Sequence, residues 1–287
     1  MLTSDMWKRN RIYGVDFSGA RNACKKIWVT EADEASPGSL KIVSCRSIGE
    51  MAGRRDLGSC LEALRALIAK PEGARSAFGL DFPFGVPRPL AGEAPTWEAW
   101  LGHLATEYSS KSADDFRSDG QRVAAEKRLN CKEPARHTED EAKAPLHTHN
   151  LRLYRQTFYG IRDVLSPLIG SGKARAVPMQ DPDAAVATLF EVCPACTLKL
   201  LRLEVQGRKG QRGYRGSVLS KLEASNCFDK ITDATLREAV LKDNQGDALD
   251  SVIAAVAVFR TLHAGQTLAP RQSPYWSDYA VEGYIYR

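Results

Sequence analysis

The chain has 287 residues, of which 43% are hydrophobic and 26% charged, proportions that are ordinary for a globular protein and exclude a fibrous or intrinsically disordered one. Its 40 lysines and arginines against 35 aspartates and glutamates give a formal net charge of +5, an excess too small to indicate a nucleic-acid partner by itself. The length allows one large domain or two smaller ones, each with a sizeable core.

The sequence shows no sign of export or of membrane insertion. The opening segment MLTSDMWKRNR lacks the apolar stretch of a signal peptide, and the longest fully apolar run, Val252 to Phe259, is too short to span a bilayer. Seven cysteines at irregular positions do not form the even-numbered framework of a secreted disulfide scaffold. We therefore expect a cytoplasmic protein with reduced thiols and no membrane partner.

The amino-terminal part predicts a mixed sheet. Apolar runs at 11–17, 26–30 and 40–45, joined by short links, indicate three antiparallel strands. Leucines at helical spacing predict an amphipathic helix over 54–70, followed by a short apolar strand over 76–82. Because a helix separates this strand from the first one, we expect the two to lie side by side and parallel.

The pattern changes from residue 88 to residue 182. Helices are predicted at 97–108 and 151–165, and a polar stretch rich in charge and histidine lies between them. We interpret 88–182 as a helical insertion or cap. The elements predicted after it are a strand at 188–192 and helices near 194–203, 218–224, 235–241 and 245–262, with a Gly/Arg-rich loop after the first of these helices. The last helix is apolar nearly all round, so it is expected to be buried.

Acidic residues stand at the ends of several of these apolar elements: Asp16, Asp81, Glu191, and Asp247 or Asp250. Burying a carboxylate is costly unless a cation offsets it, and several carboxylates at one point form a site for a hard cation. The pattern therefore predicts metal-assisted phosphoryl chemistry. Alternatives remain open: Asp16 could tighten the turn that follows it, Glu191 could pair with an arginine of the insertion, and acids in a helix's first turn also suit its dipole.

The order of elements and acids resembles the ribonuclease H-like fold. Four blocks look like those of the domain of unknown function 429 family, regarded as predicted RNase H-like nucleases: GVDFSGA at 14–20, GLDFPFGVP at 79–87, EVCPACTLK at 191–199 and GDALDSVIAAVA at 246–257. The resemblance implies an α/β fold with a mixed five-stranded sheet, three antiparallel strands followed by parallel ones. It also implies a single domain over 1–287 that carries the insertion.

The resemblance implies a nuclease that hydrolyses phosphodiester bonds of RNA or DNA with two Mg²⁺ or Mn²⁺ ions. In such a mechanism one ion activates a water and the other steadies the departing oxygen. Asp16 would bridge both ions and Asp81 would hold one of them. Glu191 with Asp247 or Asp250 would complete the other.

Further residues are candidates for substrate contacts. The segment GRKGQRGYRG combines cations with an aromatic ring, a mix that tracks phosphates and stacks a base, although a disordered basic loop is an equal alternative. Two histidines of the insertion could protonate a leaving group if the insertion folds over the acids, and a solvated loop is the alternative. These candidates are Arg208, Lys209, Arg212, Tyr214, Arg215, His147 and His149.

A Cys-x-x-Cys pair at Cys193 and Cys196 lacks a matching second pair, so two packed thiols explain it better than a zinc or redox site. Two other functions remain as alternatives to a nuclease. One is an ATP-dependent phosphotransferase of the actin and sugar-kinase superfamily, although the chain has one copy of the fold and no Gly-rich adenosine motif. The other is a non-catalytic RNase H-like binding module.

Overall fold

The computed structural model describes residues 11–36, 38–53, 55–70, 76–129, 133–225 and 228–287. Within them a mixed seven-stranded sheet is flanked by helices, which confirms the predicted α/β class. The strands are β1 Arg11–Asp16, β2 Trp28–Ser36, β3 Ser39–Ser47, β4 Ser76–Asp81, β5 Ala174–Val177, β6 Ala187–Val192 and β7 Ile285–Tyr286.

The sheet has the order β3-β2-β1-β4-β6-β5, and β7 also pairs with β6. β1, β2 and β3 form an antiparallel meander, and β4 lies parallel beside β1, as predicted. β6 continues the parallel part next to β4. The sheet has seven strands and not the expected five because β5 and β7 also join it. With four and two residues, they are too short to show strand alternation in the sequence.

Helices cover both faces of the sheet. They are α1 Ile48–Ala52, α2 Leu57–Ile68, α3 Trp97–Glu107, α4 Ala113–Glu126, α5 His137–Ala142, α6 Tyr154–Tyr159, α7 Ser166–Gly170, α8 Pro194–Leu200, α9 Arg212–Glu223, α10 Ala234–Lys242, α11 Asp247–His263 and α12 Trp276–Glu282. A π-helical segment, Gly160–Leu165, joins α6 to α7. The predicted helix start at residue 54 lies outside the described residues. In the part of the chain that the structure describes, no helix combines the length and apolarity needed to cross a membrane.

Each face of the sheet contributes to its own apolar core. One core contains Val15 and Leu80 from the strands together with α2, α3, α6 and α7. The other contains Ile12 and Ala77 together with α9, α10 and α11. Alternation along β1 and β4 sends neighbouring residues to opposite cores, which explains why these strands are almost continuously buried.

The insertion contains more structure than its sequence indicates. The polar stretch between the two predicted helices holds α4 and α5. The buried positions of α4 are Ala113, Phe116, Gly120 and Ala124, so only one large apolar residue marks its inner face. The helix is instead fixed by a capping box at Ser112 and Asp115. Strand β5 also lies within the 88–182 range, but it pairs with β6 and is part of the central sheet.

Helix α11 packs unusually close to the sheet because two glycines lie beneath it. Gly14 and Gly79 are register partners on β1 and β4. A Cβ atom at Gly14 would lie 2.0 Å from the carbonyl oxygen of Ser251, and one at Gly79 would lie 2.9 Å from that of Ala254. The absence of side chains therefore brings the backbone of α11 directly onto both strands.

The prediction of reduced thiols is wrong for four cysteines. The structure joins Cys24 to Cys60 and Cys193 to Cys196 as disulfides, with Cα–Cα separations of 5.6 and 5.2 Å. The first pair links the segment after β1 to α2, a contact that spacing along the sequence does not reveal. Cys45 is free and buried, and the two remaining cysteines, at 131 and 227, lie outside the described residues.

Candidate metal centre

Asp16 and Asp81 end the two central parallel strands at the same level. They are register partners in the β1–β4 pairing, two residues beyond Gly14 and Gly79. Since side chains alternate along a strand, both acids lie on the sheet face that α11 covers. The glycines thus let the first turn of α11 approach the two carboxylates.

Asp250 completes the group. It lies in the first turn of α11, and one carboxylate oxygen from each of Asp16, Asp81 and Asp250 lies within 4.8 Å of the others. The turn before α11 is set by Gly246, which has φ 79° and ψ 13°, a conformation that favours glycine. Three of the five predicted ligands therefore meet at one point.

Lys209 is the cation of this cluster. Its Nζ donates to Asp250 and lies 4.0 Å from Asp247 Oδ1. The stem of Lys209 crosses Gly246, where a Cβ would come within 2.6 Å of its Cγ. Its backbone carbonyl accepts a hydrogen bond of 2.8 Å from Arg215 Nη1, which fixes the loop. Lys209, predicted to contact nucleic acid, is thus held among the acids.

The electrostatics of the cluster show a shortage of positive charge. Burial raises the pKa of Asp16 well above its ordinary value, and the charges of Asp250 and Asp81 raise it further although Lys209 lowers it. Burial and the nearby Asp250 raise the pKa of Asp81 to about 7. Burial likewise raises the pKa of Asp250, against the effect of Lys209. One ammonium does not offset the carboxylates gathered here.

Asp247 lies next to the three acids but not within their group. Burial raises its pKa to about 6, and Lys209 opposes this shift. Of the two acids that the sequence left open, Asp250 is therefore the one placed with Asp16 and Asp81. Asp247 is close to the same lysine.

Glu191 lies on the other face of the sheet. It is the register partner of Leu80, the residue before Asp81, so a difference of one position turns it away from Asp16 and Asp81. Both of its carboxylate oxygens accept from Arg136, and Oε2 also accepts from the Phe84 amide at 2.9 Å. The expectation that Glu191 joins the metal ligands is not met. Glu191 instead pairs with an arginine of the insertion, which was the alternative that the sequence left open.

Arg136 is the centre of a buried ionic network that the sequence did not reveal. It is 1% exposed and also donates to Glu139 Oε1 at 3.0 Å and to the Glu282 carbonyl at 2.8 Å. Its signal in the sequence was weak, because it stands in a polar stretch among other charged residues. The network lies beside the acid cluster and closes one wall of a cavity there.

The predicted substrate-binding cations of the 207–216 segment are mostly engaged elsewhere. Arg215 is buried and donates from Nε and Nη2 to the Leu241 carbonyl. It belongs to α9, which begins at Arg212 and so earlier than the predicted 218. Arg212 is exposed and pairs with Glu238. Arg208 is exposed in the loop. Tyr214 is partly buried against the core that contains α11, and burial and the charge of Asp250 raise its pKa.

His149, one of the two histidines of the insertion, does not lie in a solvated loop. His149 is buried, stacks on Phe116 and leaves no space for a side chain at Gly120. Its Nδ1 has no hydrogen-bond partner among the described residues. His147 Nδ1 is 3.4 Å from the carbonyl of Glu133. His149 is thus a core residue of the insertion.

Acid is expected to destabilise the fold through His149. Burial lowers its pKa to about 4, from about 6.5 in the unfolded chain, so the unfolded state gains the proton first as pH falls. The contribution of His149 is complete above pH 6.5 and is lost between pH 6.5 and 4, up to about 3 kcal/mol. Urea unfolding of His149→Gln at pH 7 and pH 5 should show a smaller loss than the parent chain. His103→Gln, at an exposed position, is the control, and equal losses in all three proteins would contradict this role.

A cavity of about 190 Å³ opens beside the acid cluster. Asp81 and Asp250 line one side of it, and the Arg136 network lines another. Gln156 of α6 also lines it and donates through Nε2 to the Asp81 carbonyl. The insertion therefore reaches the acids through Gln156, while neither of the two histidines considered for this role lines the cavity. The sequence offered no sign of Gln156, since a single glutamine carries no motif.

No family model, curated protein or solved structure matches this chain. The function of the site is therefore inferred from its own geometry and charge.

Proposed function

We propose that the protein is a divalent-metal-dependent nuclease of ribonuclease H-like type that hydrolyses phosphodiester bonds in nucleic acid. The observation that supports this is the convergence of Asp16, Asp81 and Asp250 at the ends of two adjacent parallel strands and the start of a buried helix. The sequence resemblance to the domain of unknown function 429 family leads to the same activity.

The residues fit Mg²⁺ or Mn²⁺. Both ions prefer oxygen ligands, and the three acids supply carboxylate oxygens close enough to share one ion. With all three ionised, their charges exceed that of Lys209. A divalent cation would offset the burial that raises the pKa of all three acids and the repulsion that raises the pKa of Asp16 and Asp81 further. Asp247, which lies near the same lysine, is a further acid that could serve a second ion. When bound, such ions lower the pKa of a coordinated water and polarise the phosphoryl group.

The chain's own residues would position and shield the substrate. Phosphoryl transfer depends mainly on alignment and on stabilising the charge of the transition state. Lys209, 40% exposed at the cluster, can meet a phosphate oxygen while it remains paired with Asp250. Gln156 lies on the Asp81 side, where its Nε2 donates to the Asp81 carbonyl and leaves the carboxylate partly exposed.

The decisive variant is Asp81→Asn. It should abolish Mn²⁺-dependent cleavage of a mixed RNA and DNA oligonucleotide panel and the stabilisation by Mn²⁺, which for the parent chain is about 2.7 kcal/mol at 100 times Kd. In metal-free buffer at pH 8 the same variant should be more stable than the parent by about 1–2 kcal/mol. At pH 8 Asp81, whose pKa is about 7 in the folded chain, is ionised, and the buried charge destabilises the parent. Because Asp81 is partly exposed, this destabilisation is smaller than the pKa shift alone would give.

Asp33→Asn is the matched control, because Asp33 lies on β2 and pairs with Arg11 away from the cluster. It should leave cleavage and the Mn²⁺ effect unchanged. A parent chain whose melting temperature ignores Mn²⁺, or an Asp81→Asn variant that still cleaves, would rule out the proposed site. Calorimetry with Mn²⁺ gives the number of ions bound.

A further inference from the structure

The cavity beside the acids is well formed and small. At about 190 Å³ it is below the range of roughly 300–1,000 Å³ that holds a drug-sized ligand, so one ring system fits and a base pair does not. Leu146, Leu153, Pro194 and Ile285 give it apolar walls. Such walls suit the faces of a flat aromatic ring.

The deeper wall is rigid because its charges are already satisfied. Arg136 binds Glu139 and Glu191, and Glu139 Oε1 also accepts from Thr148 at 2.9 Å. A ligand in the cavity would therefore meet a fixed surface and would not need to break this network. Preorganisation of this kind lowers the cost of binding.

Two polar groups at the cavity remain available to a ligand. Gln156 is oriented by its bond to the Asp81 carbonyl, and its Oε1 receives no hydrogen bond from the described residues. Arg152 lines the cavity on the exposed side, and its guanidinium forms no ion pair within the described ranges. An amide oxygen for a ring edge and a cation for a phosphate thus lie within one cavity that Asp81 and Asp250 border.

We propose that this cavity binds one unpaired nucleobase, with Arg152 on an adjacent phosphate, so that the protein acts on single strands or on a nucleotide drawn out of a duplex. The inference rests on the proposed nuclease function and names its substrate class. A base held beside Asp81 places its own phosphodiester at the acids. A paired base cannot enter, so unpairing is required before reaction.

The test compares a filled cavity with a matched surface change. Leu146→Trp fills the cavity, and Leu200→Trp places the same ring on an exposed part of α8. With Mn²⁺, the parent chain should cleave a single-stranded oligothymidylate at least tenfold more efficiently, by kcat/KM, than the same strand paired with oligodeoxyadenylate. Leu146→Trp should lose at least tenfold on the single strand and keep the Mn²⁺-induced rise in Tm. Leu200→Trp should match the parent.

Equal cleavage of both substrates, or an unaffected Leu146→Trp variant, would overturn the proposal. Arg152→Met, at an exposed position, provides a second variant that should raise KM for the single strand even if Leu146→Trp does not fold. If no oligonucleotide is cleaved, the proposed nuclease function is wrong, and the nucleobase site is then tested by binding alone. Thymidine 5′-monophosphate should then bind the parent and not Leu146→Trp in calorimetry, whereas equal binding to both would refute the base site.

Discussion

Replacing Arg136 with methionine is expected to lower the free energy of unfolding by about 3–5 kcal/mol, the range for removing one partner of a buried ion pair. Arg136 is almost fully buried and donates to Glu139, to Glu191 and to the Glu282 carbonyl. Without it, two carboxylates remain buried without their cation. Urea unfolding at pH 7 measures the loss.

The control is Arg122→Met, because Arg122 is 59% exposed and its pair with Glu126 lies on the surface of α4. This change should stay within about 0.5 kcal/mol. Adding Glu191→Gln to Arg136→Met should recover part of the loss, since it removes one of the unpaired charges. A loss under about 1 kcal/mol for Arg136→Met would show that water reaches Glu191 and Glu139 and that the network is not buried.

Gly14→Ala is expected to destabilise the fold by about 2–4 kcal/mol, at or above the usual cost of overpacking a core. The new methyl group would lie 2.0 Å from the Ser251 carbonyl oxygen and 2.4 Å from the Ala255 nitrogen, both backbone atoms of α11. The helix must therefore move off the sheet, and Asp250 moves with it. Thermal unfolding with and without Mn²⁺ should show both a lower Tm and a weaker metal effect.

Gly102→Ala tests the same substitution where space is available. A Cβ at Gly102, inside α3, meets nothing within 4 Å, so alanine should stabilise the helix by about 0.5–1 kcal/mol. Similar effects of the two changes would mean that α11 does not rest on Gly14. A Gly14→Ala variant with an intact Mn²⁺ response would mean that the close approach does not position Asp250.

The acids could be predicted from the sequence where local pattern determines their surroundings. Asp16 and Asp81 end apolar strands, and the helix between them dictates that the strands are parallel neighbours. The helical period predicted that Asp247 or Asp250 would join them but did not choose between the two. These are local signals, and the structure brings all three residues together.

What the sequence could not supply depends on register and on tertiary partners. Glu191 looks equivalent to Asp81 in its strand, but pairing with Leu80 places it on the opposite face. Lys209 belongs to a loop whose path is set by Arg215, and no local rule connects that loop to α11. Helix α4 escaped prediction because alanine and glycine form much of its buried side.

The carboxylate of Glu282 has a consequence for how the insertion can move. It accepts from the amide of Arg88 through Oε1 and from the amide of His137 through Oε2 at 2.7 Å. The amide of Ile285, in β7, donates to Thr138 at 2.9 Å, and β7 is paired with β6. If the insertion moved as a hinged lid, all of these hydrogen bonds would have to break first. We therefore expect the region 88–182 to open only together with the central strands, as one cooperative unit in hydrogen exchange.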